Sequence, residues 1–454
     1  MATTIDPLSL NREKRFLLNK MESTNENMFI TGKAGTGKSY LLRCFLEHTK
    51  KNTVVVAPTG IAALNVHGST IHRFFGLKPE LQIPEKIDKS VIYGHKRETF
   101  RNIYTIIIDE ISMVRSDLMD AIDYILKHAN GNNQPFGGKQ VLVFGDLYQL
   151  PPVLKENSDE KTYILEHYGG AFFFDSPAVK QNGFKIYELT EIFRQEDEDL
   201  IKVLNHIREG NQTPSDLSLI NSKVSTNNTR TYQDDFITLT TTNAAAQKVN
   251  QDMLNQIKSP AHDYWAWIEG EFPINDYPTE RHLILKVGAR VIMLNNDIDG
   301  RWVNGTMGII TSCNHNSIDI RIEDTGKICT VYKNKWEEID YLYNKETKKI
   351  ESKVIGEFNQ IPVKLAWAIT IHKSQGKTYQ KVEIDLGKQA FACGQTYVAI
   401  SRIKDLNGLH LKRPIRDSDI LVSKDVKDYM SYNNNTDIET HILEFQSNRR
   451  EASV

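Results

Sequence analysis

The sequence predicts an α/β protein with two α/β units, each built on a parallel sheet, with a small insertion in the first unit and a β-rich insertion in the second. A glycine-rich loop, GKAGTGKS at residues 32–39, stands between an apolar strand and a helix-like segment. Short all-apolar runs, which are typical of buried parallel strands, alternate with helical stretches on both sides of residues 258–360. Within 258–360 the pattern changes to short alternating runs separated by turn signals, which indicates antiparallel strands.

Composition bounds the class of protein. The chain has 454 residues, of which 40% are hydrophobic and 25% charged, so we expect two to four domains. The net charge of −2 gives no global signature of a nucleic-acid binder. Four scattered cysteines without a CxxC pair argue against a zinc site or a disulfide framework. No leader-like or membrane-spanning run is visible, so we expect no membrane association, a cytoplasmic location if the source is bacterial and a nuclear one if it is eukaryotic.

The loop at 32–39 predicts a site for a nucleoside triphosphate with Mg²⁺. A strand that breaks into a glycine-rich turn and restarts as a helix points backbone N–H groups at one spot, where the helix N-terminus also favours an anion. Lys38 would reach the β- and γ-phosphates, and the Ser39 hydroxyl would hold the metal. The predicted nucleotide-binding residues of this loop are Gly32, Gly35, Thr36, Gly37, Lys38 and Ser39.

Two further strands bring catalytic candidates. The apolar run 104–110 ends in Asp109 and Glu110, of which the first would hold Mg²⁺ and the second would orient and deprotonate the attacking water. Strand 140–144 leads to Gln149, which we expect to sense the γ-phosphate or the water. A solvated acid at a strand end is common, so the pair gains its meaning from the phosphate loop.

The remaining elements follow in order. The pattern predicts helices at about 12–21, 116–129 and 243–257, and strands at 28–32, 53–58, 185–189, 236–240 and 382–386. Strand 185–189 is expected to open the second unit. The predicted boundaries are 1–64 with 104–182 for the first unit, 65–103 for its insertion, 183–257 with 361–454 for the second unit, and 258–360 for the β-rich insertion.

Two sets of side chains leave alternatives open. Residues 363–382 carry four lysines and no carboxylate, and residues 58–78 are also basic without an acid; either a phosphate-binding groove or ordinary solvated faces would explain them. Tyr264, Trp265, Trp267 and Trp336 are expected to form the core of the β-rich insertion, with base-stacking as the less favoured reading.

The motifs, taken in this order, resemble those of the PIF (petite integration frequency) family of DNA helicases within superfamily 1B. The stretches that carry the likeness are GKAGTGKS, APTGIAA at 57–63, IIDEISM at 107–113, PFGG at 135–138, GDLYQLPP at 145–152, FRQ at 193–195, AITIHKSQG at 368–376 and YVAISR at 397–402. The resemblance implies two RecA-like P-loop domains with the triphosphate between them and an SH3-like β-rich insertion. It further implies an ATP-dependent, Mg²⁺-requiring helicase that moves 5′ to 3′ on single-stranded DNA and unwinds duplex.

The resemblance also implies residue roles. Arg194 and Arg402, both expected on the second domain, would be arginine fingers, and Gly376 would contact the nucleotide. The strand-binding positions would be Pro58, Thr59, His72, Thr242, Asn243, His372, Lys373 and Ser374. Residues 78–103 would form a wedge that splits the duplex, unless they only cap apolar surface.

One departure from the family concerns adenine. A glutamine usually precedes the phosphate loop, and residues 8–20 contain none, so Asn11 would have to substitute for it. The expected partners are single-stranded, forked and overhang DNA, with a protein that is monomeric when free and corresponds to a minimal helicase core. Family roles in DNA repair, recombination, telomere maintenance and G-quadruplex processing come only with the resemblance.

Two other functions stay open at this stage. One is a translocase whose ATPase is stimulated by single strands and which remodels protein–DNA complexes with little unwinding. The other is a P-loop enzyme of the kinase or GTPase type, against which a second α/β unit carrying Arg194 and Arg402 argues.

Overall fold

The computed structural model describes residues 6–433 except 95, 155–157, 196, 226–230, 324, 345 and 348. The outer ends of the two predicted units, 1–5 and 434–454, lie outside the described residues. Within the described part, the helices are all too short or too polar to cross a membrane.

The first unit is a six-stranded parallel sheet with helices on its faces. Its strands are β1 (Met28–Gly32), β2 (Thr53–Ala57), β3 (Ser69–Thr70), β4 (Thr105–Ile108), β5 (Gln140–Phe144) and β6 (Lys185–Leu189). Its helices are α1 (Arg12–Ser23), α2 (Lys38–His48), α3 (Gly60–Asn65), α4 (Ile71–Phe75), α5 (Lys89–Tyr93), α6 (Arg97–Asn102), α7 (Ser116–Asn130), α8 (Asp159–Tyr168) and α9 (Pro177–Asn182). The strand order is β3-β2-β4-β5-β1-β6, so β1, which leads into the phosphate loop, lies between β5 and β6.

The chain then enters the second unit and its β-rich insertion. The next elements are α10 (Glu198–Glu209), α11 (Pro214–Asn221), β7 (Ile237–Thr240) and α12 (Asn243–Gln256). The insertion contains β8 (Ala261–Trp265), β9 (Trp267–Gly270), β10 (His282–Lys286), β11 (Arg290–Met293), β12 (Met307–Cys313), β13 (Ser317–Ile322), β14 (Ile328–Tyr332), β15 (Asn334–Asn344), β16 (Lys349–Gln360) and β17 (Val363–Leu365). These strands form antiparallel sheets, of which the largest has the order β14-β13-β12-β11-β17.

The second parallel sheet closes after the insertion. Its further elements are β18 (Ala368–Thr370), α13 (Ile371–Ser374), β19 (Val382–Asp385), α14 (Gln395–Ile400), β20 (Leu409–Leu411) and α15 (Lys424–Asn433). The strand order is β18-β7-β19-β20, all parallel. The predicted α/β class with two parallel sheets is therefore confirmed, whereas the SH3-like character of the insertion stays a prediction.

Three strand assignments made from sequence are wrong. β6, expected to open the second unit, pairs with β1 over its whole length and ends the first sheet. β3 belongs to the first sheet rather than to an insertion beginning at residue 65, because it pairs with β2. β17 lies beyond residue 360 yet pairs with β11 of the β-rich insertion. An apolar run shows that a strand is buried, but its pairing partner is distant in sequence and leaves no local mark.

The end of the described chain departs from its predicted unit. α15, expected in the second unit, buries Val426 and Met430 in the core of the first. Tyr429 stacks on Phe174, with ring centroids 4.2 Å apart and an angle of 6° between the planes. The chain therefore crosses back to the first unit after β20.

The structure also decides which residues of the insertion at 78–103, and which aromatic residues of the β-rich part, are buried. Ile92 and Phe100 from the insertion lie in the core of the first unit, so part of the segment caps apolar surface. Tyr264 and Trp336 are buried as expected, but Trp265 and Trp267 are 58% and 63% exposed, which contradicts a core role for them.

Candidate functional site

A cavity of about 750 Å³ lies between the two parallel sheets, at the carboxyl ends of β1, β4 and β5. Ligands in open α/β folds bind at this edge, because the loops that leave neighbouring strands converge there. The first unit lines the cavity with its phosphate loop, Asp109, Glu110 and Gln149, and the second unit lines it with Gly376, Thr378 and Arg402.

The phosphate loop has the backbone that the glycines predict. Gly35 and Gly37 have φ angles of 86° and 85°, a region that side chains with a Cβ rarely adopt. A Cβ at Gly35 would also lie 2.6 Å from the Cβ of Arg194. The Lys38 ammonium donates to the carbonyl oxygens of Gly32 at 2.6 Å and Lys33 at 3.1 Å. Burial lowers the pKa of Lys38, so its charge is poorly compensated until an anion arrives.

The other predicted loop residues lie on the same turn. Thr36 is buried, and its hydroxyl donates to the carbonyl of Lys33 at 3.0 Å. Ser39 lines the cavity beside Asp109. Gly32, with a φ of 147°, is pressed against Leu189, because a Cβ there would lie 2.7 Å from the Leu189 carbonyl oxygen.

Asp109 and Glu110 follow β4 in a strained turn, since Glu110 has a φ of 51°. Burial and the neighbouring Glu110 raise the pKa of Asp109 to about 7, and burial raises the pKa of Glu110. The positive charge of Lys38, which acts on both carboxylates, does not offset the effect of their burial. Gln375 of the second unit donates to Glu110 Oε2 at 2.9 Å, so this hydrogen bond crosses the cavity.

The donor set fits Mg²⁺ rather than a metal that needs a cage of protein ligands. Mg²⁺ prefers hard oxygen ligands and commonly takes one or two from the protein, with the rest from phosphates and water. Ser39 and Asp109 supply one hydroxyl and one buried carboxylate. Among the described residues no cluster of three or more His, Cys, Asp or Glu is placed to hold a metal ion.

The two predicted arginine fingers are placed differently. Arg402 is buried on the second unit, where it donates to the carbonyls of Val398, Ser374 and Lys377. Burial and Arg194 lower the pKa of Arg402 to about 9. Arg194 was expected on the second unit, but it follows β6 of the first sheet.

The backbone around Arg194 anchors it to the phosphate loop. Phe193 N donates to the Gly35 carbonyl at 2.9 Å. The Arg194 side chain crosses to the second unit, where it donates at 3.4 Å to the carbonyls of Ser401 and Gly376. Both arginines nevertheless line the cavity.

Gln149 and Gly376 face the cavity from opposite units. Gln149 is 7% exposed, and its backbone lies so close to α14 that a Cβ at Gly394 would meet its carbonyl at 2.5 Å. Gly376, with a φ of 77°, approaches Glu110 Oε1.

A buried network that sequence reasoning missed joins the two units below the cavity. The Tyr397 hydroxyl accepts from Ala34 N at 2.9 Å and donates to Asp146 Oδ2 at 3.2 Å. Arg208 pairs with Asp146 at 3.1 Å and with Glu188 at 3.2 Å. Asp146 and Tyr397 lie within the quoted motifs GDLYQLPP and YVAISR, so the motifs held a signal, but nothing local marks Arg208.

The predicted strand-binding residues lie at the carboxyl ends of strands in both units. Pro58 and Thr59 follow β2, Thr242 and Asn243 follow β7, and His372, Lys373 and Ser374 follow β18. The hydroxyls of Thr59 and Thr242 are helix N-caps, which accept from Ala62 N and Ala245 N. His72 lies in α4, where burial lowers its pKa. Ser374 is buried and its hydroxyl donates to the Ile371 carbonyl, so that side chain does not face a groove.

A cationic cluster accompanies these residues. Lys364, Lys373 and Lys377 line one small cavity together with Asn65 of the first unit and Trp336. Burial and the two neighbouring lysines lower the pKa of Lys364 to about 7, and burial lowers the pKa of Lys377 to about 8. Of the two explanations for the basic stretch 363–382, this crowding favours a groove that awaits anions over a solvated face.

The known proteins to which this chain is similar include DNA helicases. A family model described as PIF1-like helicase matches residues 9–216. The chain is 31% identical over 424 residues to the ATP-dependent DNA helicase Pif1 of Bdellovibrio bacteriovorus, covering 90% of this chain and 88% of the relative. It is 31% identical over 414 residues to the ATP-dependent DNA helicase PIF1 of Xenopus laevis, covering 89% of this chain but 61% of that protein, so the chain spans under two thirds of this relative's length.

Solved structures are similar over nearly the whole chain. The crystal structure of Bacteroides sp Pif1 in complex with ADP-AlF4 is 37% identical with a TM-score of 0.87, covering 94% of this chain and 97% of that one. The same Bacteroides helicase in complex with ADP-AlF3 and ssDNA is also 37% identical and covers 94% and 98% of the two chains, but its TM-score is 0.68. The two Bacteroides structures therefore differ in arrangement, and this chain is closer to the first.

Proposed function

The chain belongs to the PIF1-like helicase family, and on that premise we propose that it is an ATP-dependent DNA helicase that moves 5′ to 3′ on single-stranded DNA and unwinds duplex. The observation that carries the proposal is the cavity between the two sheets, which is lined both by the cations Lys38, Arg194 and Arg402 and by the carboxylates Asp109 and Glu110.

The charges of the cavity match a magnesium–triphosphate complex. Lys38 and Arg402 have pKa values lowered by burial, so each would gain from a nearby anion. Asp109 and Glu110 have pKa values raised by burial, so they would gain from a nearby cation. A triphosphate with Mg²⁺ supplies both charges at once, and the metal, held by Ser39 and Asp109, would neutralise the phosphate oxygens.

Each catalytic candidate then has a task. Lys38 exchanges its two carbonyl partners for phosphate oxygens. Glu110, fixed by Gln375, orients a water molecule and accepts its proton, to which its raised pKa is suited. Gln149 lies within reach of the same region, and Arg194 and Arg402 stabilise charge that develops on the γ-phosphate.

Contacts from both units turn hydrolysis into motion. A triphosphate that touches the phosphate loop and Arg402 together binds the closed cleft more tightly than an open one, and its hydrolysis removes that difference. The strand-binding candidates lie on both units, so opening and closing changes their separation. Phosphate contacts from caps, backbone amides and lysines carry no sequence information, which suits a motor that passes every base.

The direction of movement along the strand and the unwinding of duplex are the two properties that test the proposal directly. We expect hydrolysis to be stimulated by single-stranded DNA, and a labelled duplex to be unwound when it carries a 5′ overhang but not a 3′ overhang. The reverse polarity would contradict the proposal. Stimulated hydrolysis with no unwinding on either substrate would replace it with the translocase.

A matched variant separates the nucleotide site from the strand site. Glu110→Gln preserves the size of the side chain and the contact with Gln375, so single-strand binding should stay within a few fold while hydrolysis is lost. Loss of strand binding in this variant would remove Glu110 from the assigned role.

A further inference from the structure

A second cavity, of about 520 Å³, adjoins the nucleotide cavity. The two cavities share part of their lining, which includes Ser39, Asp109, Glu110 and Lys404. The residues assigned to the metal and to the attacking water therefore stand on the wall between them. The second cavity extends from Asp109, which is buried, to Arg43 and Lys404, which are exposed, so it opens to solvent beside these two cations.

The charged side chains of the second cavity are only partly paired. Apart from the carboxylates of the shared wall, its acids have partners: Glu323 pairs with Arg290 at 2.7 Å, and Asp235 pairs with Lys381. Three further cations line the cavity: Arg43, Lys377 and Lys404. Among the described residues, the side chains of these three make no hydrogen bond or ion pair. Burial lowers the pKa of Lys377 to about 8, so an anion beside it would be stabilising.

Arg43 belongs to the second cavity alone. It follows Ser39 by four residues in α2, so the two side chains lie on the same face of the helix, one turn apart. Arg43 lines neither the nucleotide cavity nor the small cavity that contains Lys364 and Lys373. It can therefore be changed without altering the lining of either.

Hydrolysis forms a phosphate on the side of the nucleotide from which the water attacks. The water oxygen bonds to the γ-phosphorus while the bond to the β–γ bridging oxygen breaks, and these two oxygens are roughly in line. ADP keeps the bridging oxygen and stays on the phosphate loop. Inorganic phosphate is therefore formed towards Glu110, which lies on the wall shared with the second cavity.

We propose that the second cavity binds the inorganic phosphate released by hydrolysis and is its route to solvent while ADP remains bound, with Arg43 and Lys404 as binding cations. The inference rests on the proposed function, because the phosphate comes from the nucleotide that the motor hydrolyses. A phosphate of bound DNA has the same chemistry, and Lys377 also lines the small cavity beside Lys373, so the test separates these two sources.

Phosphate binding to a protein whose nucleotide site is filled tests the location. The protein is saturated with Mg²⁺ and a non-hydrolysable ATP analogue, and radiolabelled inorganic phosphate is titrated by equilibrium dialysis. We expect one phosphate per chain, bound about tenfold more weakly by Arg43→Gln, the effect of one charge-assisted hydrogen bond. Lys50→Gln, two residues beyond the end of α2, leaves the cavity lining intact and should bind like the wild type. No binding, or equal binding by Arg43→Gln and the wild type, overturns the proposal.

A saturating single-stranded oligonucleotide separates the two sources of phosphate. The bound inorganic phosphate should remain, and Arg43→Gln should bind the strand as the wild type does. Displacement of the phosphate by the strand, or weaker strand binding by Arg43→Gln, would assign the cavity to DNA and overturn the proposal.

The order of product release tests the route. In a single turnover with single-stranded DNA, a fluorescent phosphate sensor and a fluorescent nucleotide report the two products. Phosphate should leave before ADP, and its release should slow by up to about tenfold in Arg43→Gln, the same free-energy difference applied to a rate. Release of ADP first overturns the route. Because the dialysis needs neither hydrolysis nor DNA, a failure of the proposed motor function would appear only in this last measurement.

Discussion

At the scale of single residues, Tyr397 joins the two units through one phenolic oxygen. It accepts from the phosphate loop and donates to Asp146, which is also held by Arg208. All three side chains are nearly or fully buried, so each lost partner leaves a polar group that water cannot reach. The position of the loop relative to the second unit therefore depends on this contact.

Tyr397→Phe should weaken nucleotide binding without touching the strand site. The variant leaves Ala34 N without its partner, which costs about 1–3 kcal/mol, while Asp146 keeps Arg208. We expect KM for the nucleotide to rise roughly tenfold for each 1.4 kcal/mol of this cost that binding bears. Affinity for single-stranded DNA in the absence of nucleotide should not change, as fluorescence anisotropy would show.

Tyr379→Phe is the matched control. The Tyr379 hydroxyl is buried and, among the described residues, has no hydrogen-bond partner, so its removal should leave the KM unchanged and the unfolding free energy equal or higher. Equal effects of the two substitutions would deny the bridging role of Tyr397.

The pKa of Lys364 predicts that strand binding depends on pH. Lys373, Lys377 and Glu280 surround Lys364, whose pKa is about 7 in the free protein. A bound phosphate would raise that pKa, so binding takes up a proton, and affinity should increase as pH falls from 8 to 6.5. Burial also lowers the pKa of His372, so the Lys364→Met variant is needed to assign the trend to Lys364.

Anisotropy titrations at constant salt would measure the effect, with Lys364→Met as the variant that should flatten it. The stability of the free protein has the opposite dependence. The unfolded chain binds the Lys364 proton up to pH 10.5 and the folded one only up to about 7, so unfolding becomes less favourable as pH rises through that window. A Lys364→Met variant with the wild-type pH dependence of binding would contradict the assignment.

At the scale of elements, α15 ties the end of the described chain to the first unit. Val426 and Met430 are 1% and 4% exposed, and Tyr429 stacks on Phe174. Residues 412–423 lead to α15 from β20 of the second sheet, so they cross between the units as the segment after β6 does.

Tyr429→Ala should therefore destabilise the first unit. Loss of a half-buried ring and its stacking costs about 2–4 kcal/mol, which a lowered first melting transition would report. Tyr432→Ala is the control on the same helix, since Tyr432 is 82% exposed. Equal melting temperatures for the two variants would show that α15 does not hold the unit.

Elements whose signal is local were predicted well from sequence. β1, β5 and α7 match their expected positions, because strand runs, periodic helices and glycine turns are written into neighbouring residues. The PFGG stretch, which carried the resemblance, has a local cause of its own: Gly137 has a φ of 63°, and a Cβ there would meet the Leu126 carbonyl at 2.5 Å.

Features that depend on distant partners were not predictable in the same way. β6 and α15 have the composition of buried elements, but nothing in them says which core buries them. Trp265 was expected inside, yet it stacks on His282 at the surface, with centroids 4.0 Å apart. At the site, the motif residues themselves could be named from sequence. The pairing of Arg208 with Asp146 and the hydrogen bond from the Asn11 side chain to Glu191 depend on tertiary contacts, so they could not.

The wedge function of residues 78–103 stays a prediction. α6 packs against β15, and Phe100 is fully buried, so shortening the whole segment would damage the core. A variant that changes only the exposed residues 88–90 would test the wedge without that damage.

At the scale of the whole molecule, the two units and the β-rich insertion are arranged as in the Bacteroides complex with ADP-AlF4. The lower TM-score to the complex with ssDNA, 0.68 against 0.87 at equal identity, indicates that the parts are placed differently there. If this chain binds single strands in that second arrangement, binding includes a rearrangement, on which part of the contact free energy is spent. Local contacts have to supply that free energy, because the net charge of −2 provides no overall attraction to DNA.

The last prediction follows from this balance. If the lysines of 363–382 neutralise phosphates, the logarithm of the affinity for single strands should fall linearly with the logarithm of the salt concentration, with a slope near −0.7 for each phosphate. Lys373 is exposed beside two crowded lysines, so Lys373→Ala should make the slope shallower by about 0.7. Lys388→Ala removes the same charge from another exposed position of the second unit and should leave the slope unchanged. An unchanged slope in Lys373→Ala would mean that the lysines of 363–382 form an ordinary solvated face. Equal changes of slope in both variants would mean that affinity follows the total charge of the protein rather than contacts with phosphates.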